Sequence, residues 1–154
     1  MSIDYIVASL PALRFDAPAP ISWEKFVEIV GDETLLSRAT AKFSDLDTQL
    51  KNALAEARVG NSDFARPAEG CSLYWKNRIF TAFQEKDVAK REELLDKVRW
   101  DAAGELTPPE APLGKGALAT YAIRLGIALK RGAISTEAGN AAFDRLTAET
   151  KVVF

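Results

Sequence analysis

Histidine is absent from this 154-residue chain, and cysteine and methionine occur once each. Without histidine there is no Ser-His triad and no Cys-His dyad. The commonest general base is missing, and nearly every zinc site is excluded with it. A metal would have to be held by carboxylates alone. The single cysteine, Cys71, has no partner within the chain for a disulfide, so nothing in the sequence calls for an oxidising compartment and a reducing cytoplasm fits. Cys71 precedes an expected helix start, but no basic residue accompanies it, and it reads as a helix-entry or core residue. Neither G-x-x-x-x-G-K-[ST] nor G-x-G-x-x-G occurs, so a phosphate cradle of glycine amides has no support and no cofactor is expected. The acidic residues are interleaved with Lys and Arg, as at Glu92, Glu93, Asp96 and Lys97, which is the pattern of solvated helix faces. No paired-carboxylate active site is expected, and the chain reads as a non-enzyme.

A strong charge of either sign is missing too. Twenty basic residues stand against 22 acidic ones, for a net charge of −2 and a pI near 5.3. The clustered Lys and Arg that draw a phosphate backbone are lacking, so nucleic acid is not an expected partner. Long apolar runs are lacking as well. The segment from Gly116 to Leu129 is interrupted by Arg124 and falls short of the roughly 20 residues of a membrane span. Ile3 to Leu10 carries Asp4, has no basic flank before it and stops at Pro11, so it reads as mature sequence and not as a signal peptide. The expectation is a cytoplasmic protein that reaches the inner membrane, if at all, through a protein complex.

What is present is a globular composition, 47% hydrophobic and 27% charged. At this length one domain buries roughly two-thirds of the surface its unfolded chain exposes. The segment 1–21 begins with apolar residues that fit neither a helical nor a strand period and continues as a proline-bearing connector, LRFDAPAPI. Ser22 then caps a helix with Phe26, Val27, Ile29 and Val30 on its apolar face, ended by Gly31. Asp32 caps what reads as one long amphipathic helix through Leu35, Leu36, Ala39, Phe43, Leu46, Leu50, Ala53, Leu54 and Ala57, closed by Gly60. A polar loop with Asn61, Ser62 and Pro67 marks a possible subdivision near 60–71.

The second half opens with Ser72 to Phe83, where Leu73, Ile79, Phe80 and Phe83 are expected to share a buried face. Strong helix formers follow, with Val88, Leu94, Leu95, Val98 and Ala102 turned to the core; whether this is one helix or two is open. Pro108, Pro109 and Pro112 impose a break before a largely buried helix ended by basic residues and Gly132. Ser135 caps a last helix with Ala138, Ala142, Phe143 and Leu146 inward. The expected fold is an all-α, single-domain bundle of about six helices over 1–154.

Candidate interface residues emerge from side chains with no place in this core. In SLYWKNRIF, Tyr74, Trp75, Asn77 and Arg78 join amphipathic rings to a guanidinium, a combination enriched at protein interfaces. Arg99 is a further candidate, although consecutive positions lie about 100° apart on a helix. Trp100 packed inward with Arg99 and Asp101 in ion pairs is the structural alternative. Arg124, a charge in an apolar helix, must reach the surface or meet a carboxylate.

Three segments, YIVASLPALRFDAPAPISWEKFVEI, LLDKVRWDAAGEL and GALATYAIRLGIALKRGAISTEAGNAAFDRL, resemble an uncharacterised bacterial family whose genes tend to lie with those of V-type ATPases. That family is loosely similar to the C (d) subunit of those machines, an all-helical protein between central stalk and rotor ring. The chain is shorter than such subunits and matches only part of that architecture. The resemblance implies a non-catalytic structural or assembly component with V-type ATPase subunits as partners. The alternative from the residues themselves is a small-molecule-binding helical regulator with a pocket lined by Tyr74, Trp75, Trp100 and Tyr121.

Overall fold

The computed structural model describes residues 2–41, 43–60 and 72–133. They form an all-α single-domain bundle. The expected helix from Ser135 to Leu146, Cys71 and most of the loop after Gly60 lie outside the described residues.

The N-terminal segment of open type is a short helix, α1 (Ile3–Ser9), capped by the Ser2 hydroxyl, which accepts from the Tyr5 amide, and burying Ile6. The proline-bearing stretch after it is neither helix nor strand and makes a turn through Phe15 and Asp16, where the Ala17 amide bonds the Arg14 carbonyl. In α2 (Trp23–Val30) the Ser22 side chain accepts from the Lys25 amide, and Gly31 ends the helix at φ 73°, a left-handed conformation that a Cβ would disfavour. Asp32 accepts from the Leu35 amide at the start of α3 (Glu33–Ala41). The expected single helix up to Gly60 is divided, and α4 (Ser44–Val59) begins anew. The Thr40 hydroxyl turns back onto the Leu36 and Ser37 carbonyls, and the Phe43 amide bonds Thr40 one residue short of the α-helical register. Phe43, 3% exposed, thereby enters the core.

α5 (Leu73–Phe83) and α6 (Val88–Ala103) are two helices joined by a short turn. Asp87 sets the break, its carboxylate accepting from the Ala89 and Lys90 amides. A single 3-10 turn, Gly104–Leu106, follows α6. The last described helix, α7, runs from 115 to 133; it passes through Gly132, which does not end it as expected.

Two faces differ from expectation. On α5, Trp75, Ile79 and Ala82 are buried while Leu73 is 68% exposed. On α6, Leu95, Val98 and Ala102 are buried as expected, but Val88 and Leu94 face solvent. Periodicity fixes that a helix has an apolar side, and the neighbouring helices fix its exact bearing. Here α4 and α6 flank α5, and that turns Trp75 inward and Leu73 outward.

One core cluster joins Phe43, Leu50, Trp75, Ile79, Leu95, Val98 and Ala102 across α4, α5 and α6. A second joins Ile6, Phe26, Val30 and Leu36 to Leu118, Ala122 and Leu125 of α7. Phe26, Leu118 and Leu125 are fully buried, each worth roughly 1.5–3 kcal/mol of hydrophobic stabilisation. A third group, Trp100 with Ile127 and Ala128, lies where α6 meets α7, with Phe15 of the connector edge-on to the Trp100 ring at 5.5 Å.

The tightest approach is between α7 and the chain leaving α6. A Cβ placed on Gly116 would overlap the Leu106 carbonyl oxygen, whereas one placed on Gly126 meets nothing within 4 Å. Gly116→Ala is therefore expected to destabilise the fold by about 3 kcal/mol, because backbone must move to admit the methyl group. Gly126→Ala, at an exposed position inside a helix, should stabilise it by about 0.5–1 kcal/mol. Urea unfolding of the two variants beside the native chain measures both signs.

Candidate functional site

α5 and α6 run antiparallel, as three successive contacts record. Trp75 Nε1 donates to Glu105 Oε1 at 2.6 Å, Arg78 Nη1 to Asp101 Oδ2 at 2.8 Å, and farther along Ala82 lies beside Val98 and Leu94. Each helix presents one stripe beside the core seam. Tyr74, Asn77, Arg78 and Thr81 are spaced i, i+3, i+4 and i+7 on α5, with Leu94, Lys97, Val98 and Asp101 at the same spacing on α6. Between the stripes is an open groove of about 340 Å³, near the lower end of the roughly 300–1,000 Å³ range of ligand pockets. Ala82, Val98 and Leu94 give it an apolar end, Arg78 and Lys97 a cationic middle, and Tyr74 the far end.

Asp101 organises the middle. It accepts from Arg78 through one oxygen at 2.8 Å and pairs with Lys97 through the other at 3.2 Å. Burial works to raise the Asp101 carboxyl, but the hydrogen bonds and charges of Arg78 and Lys97 outweigh it and hold the group below its ordinary range. Burial likewise works to lower the Arg78 guanidinium, and Asp101 together with the Tyr74 hydroxyl raises it on balance. Arg78 also lies 5.6 Å from the Trp75 ring centroid. The two cations are thus held in place while Tyr74 above them is 61% exposed.

Of the six candidate interface residues, Tyr74, Asn77 and Arg78 meet in this groove. Trp75 does not; at 5% exposure it is a core residue, with its indole N–H bonded to Glu105. Arg99 points away from the groove and bridges to α4, its Nη2 3.1 Å from Asp47 Oδ1, and Asp47 also pairs with Lys51. Arg124, partly exposed, makes no ion pair with a carboxylate among the described residues. Its Nε donates to the Trp100 carbonyl at 3.0 Å and its guanidinium lies 5.3 Å from the Trp100 ring, beside Gly104. Burial lowers its pKa from the usual guanidinium value, with Asp101 acting in the opposite sense. Trp100 is buried with its neighbours Arg99 and Asp101 in ion pairs, the structural arrangement.

The four rings of the alternative pocket do not converge. Trp75 belongs to the α4–α6 cluster and Trp100 to the α6–α7 contact, while Tyr121 stacks on Phe26 and donates to the Pro11 carbonyl at 2.7 Å. Thr81, Ala82, Leu94, Lys97 and Val98 complete the groove and were not among the interface candidates. The signal for the α6 members was the i, i+3, i+4, i+7 stripe, which becomes visible once Asp87 is taken as a helix start. Among the described residues no group of three or more His, Cys, Asp or Glu stands together as a metal site, and no helix is long and apolar enough to cross a membrane.

Asp96 contrasts with Asp101. Burial raises its carboxyl, outweighing Lys130 and Arg131, whose ion pairs are long at 4.0 and 3.9 Å. The two carboxylates therefore link stability to pH with opposite sign. The depressed Asp101 contributes stability that is present above the unfolded carboxylate pKa and lost as pH falls through its folded value. The raised Asp96 costs nothing below the unfolded carboxylate pKa and opposes folding increasingly as pH rises from there through its folded value. Relative to the native chain, Asp101→Asn should lose stability as pH rises through the carboxylate range, and Asp96→Asn should gain it. Thermal melts at a series of pH values between 3 and 7 read both slopes.

No family model, no curated protein and no solved structure matches this chain.

Proposed function

We propose that this chain is a non-catalytic structural or assembly component that docks on a V-type ATPase or ATP synthase, at the stalk or beside the rotor. The observation that carries the docking part is the solvent-facing seam of α5 and α6. An exposed tyrosine, a partly buried arginine hydrogen-bonded to Asp101, and a leucine 36% exposed line one groove between two helices. Tyr and Arg dominate the residues that carry binding energy at protein interfaces, and side chains already ordered before binding lose less entropy on contact. The identity of the partner rests on the resemblance of the three segments quoted above. Its cytoplasmic location and its attachment to the inner membrane through a complex follow from that same reading.

The test uses purified components. The full chain is mixed with a purified V-type ATPase from the same source, with and without nucleotide, and resolved by size exclusion. Co-elution is expected in both conditions. Tyr74→Ala and Leu94→Ala, which leave the core clusters intact, should each weaken association by about tenfold, or about 1.4 kcal/mol. Trp75→Ala is unsuitable as an interface probe, since removing a buried tryptophan costs about 3–5 kcal/mol of fold stability. Failure to co-elute with either the intact enzyme or its dissociated stalk and ring subunits would exclude the proposal.

A further inference from the structure

The groove has a polarity that specifies its occupant more closely than docking alone does. Among the described residues its charged lining side chains are Arg78 and Lys97, and both pair with the Asp101 carboxylate. The lining itself therefore carries two cations, with the Asp101 carboxylate shared between them and the Glu105 carboxylate taken up by the Trp75 indole N–H. Arg78 has donors beyond the one given to Asp101, and Lys97 is 42% exposed, so both can bond a second carboxylate without releasing the first. Four residues farther along α5 is Ala82, and with Leu94 and Val98 it forms an apolar floor. The small Ala82 side chain leaves room there for a large one from outside.

The dimensions favour a helix over a small molecule. The stripe from Tyr74 to Thr81 spans two helical turns, about 10 Å at 1.5 Å per residue. The groove is open along that length and bounded by two antiparallel helices, the geometry into which a third helix packs. Resting on the docking reading above, we propose that the α5/α6 groove receives an acidic amphipathic helix of a partner protein. A large apolar residue of that helix would lie on Ala82, Leu94 and Val98, with an Asp or Glu one turn away bonded to Arg78 and Lys97.

A library of 14-residue helical peptides displayed on phage is panned against the full chain, and selected peptides are measured by fluorescence anisotropy. The expected selection carries Asp or Glu three or four positions from Leu, Phe, Ile or Trp. Lys97→Glu should weaken the selected peptide at least tenfold, and exchanging the peptide's acid for Lys should restore part of the loss. Thr81→Trp, at an exposed groove position, should block binding with the fold intact by circular dichroism, so the outcome does not depend on how Lys97→Glu folds. Selected peptides without the acid, equal binding to Thr81→Trp, or no binder at all would overturn the proposal. So would peptide binding that proves to displace a second copy of this chain or its own residues 134–154. Acid-free selection with ATPase co-elution retained removes the acidic occupant alone, whereas acidic selection without co-elution removes the ATPase and leaves the groove's preference standing.

Discussion

The close contact between the end of α6 and the start of α7 governs the rest of the molecule. Ala102 and Ala103 are wholly buried, and Gly116 lies against the Leu106 carbonyl where no side chain fits. The Thr120 hydroxyl meets the Ala103 carbonyl at 2.8 Å and the Thr107 hydroxyl at 2.6 Å, so a side chain of α7 bonds the backbone at the α6 terminus inside the protein. Arg124 of α7 likewise bonds the Trp100 carbonyl one turn earlier. Small residues bring the helices close, and side-chain donors then fix the rotation of α6 about its axis. That rotation decides what the other faces meet. With Trp100 against α7 and Leu95 and Ala102 against α4 and α5, the stripe through Leu94, Lys97 and Asp101 is left beside the α5 seam and open to solvent.

The same rotation explains how the charges are divided. Arg99 falls on the α4 side and is used to join α6 to α4 through Asp47. Asp96 falls under α7, where burial penalises it more than two long ion pairs compensate. Asp101 falls beside Arg78 at hydrogen-bond distance and becomes the depressed carboxylate of the groove. Three charges on one helix therefore have three different energetic roles, set by which neighbour each one faces. Ion pairs with these exposures contribute little individually to stability, and their larger effect is to hold side chains in one geometry.

Much of the architecture was legible in the chain because caps and breakers act locally. Ser22, Gly31, Asp32 and Gly60 bound helices as their side-chain chemistry or φ preference requires, and the prolines after Thr107 separate α6 from α7. What was not legible depends on contacts between elements. The Thr40 hydroxyl competes for backbone carbonyls and divides an otherwise continuous apolar pattern, although its period is unbroken through Phe43. Leu73 and Trp75, two residues apart, exchanged their expected faces because α4 and α6 flank α5 on particular sides. Val88 and Leu94 are good core residues by composition and are exposed by the rotation of α6. Of the candidate site, Tyr74, Asn77 and Arg78 were visible as side chains with no place in an apolar stripe. The α6 half of the groove was hidden behind the assignment of Leu94 to the core.

The central claim is that the α5/α6 groove is the face by which this protein holds its partner. Site-specific photocrosslinking in the native cell tests it most directly, with a benzophenone side chain at Thr81 in the groove and, separately, at Lys25 on the exposed side of α2. The account expects Thr81 to yield a discrete adduct containing a V-type ATPase subunit and Lys25 to yield none. Adducts with that subunit from Lys25 but not from Thr81, or from neither position, would contradict it.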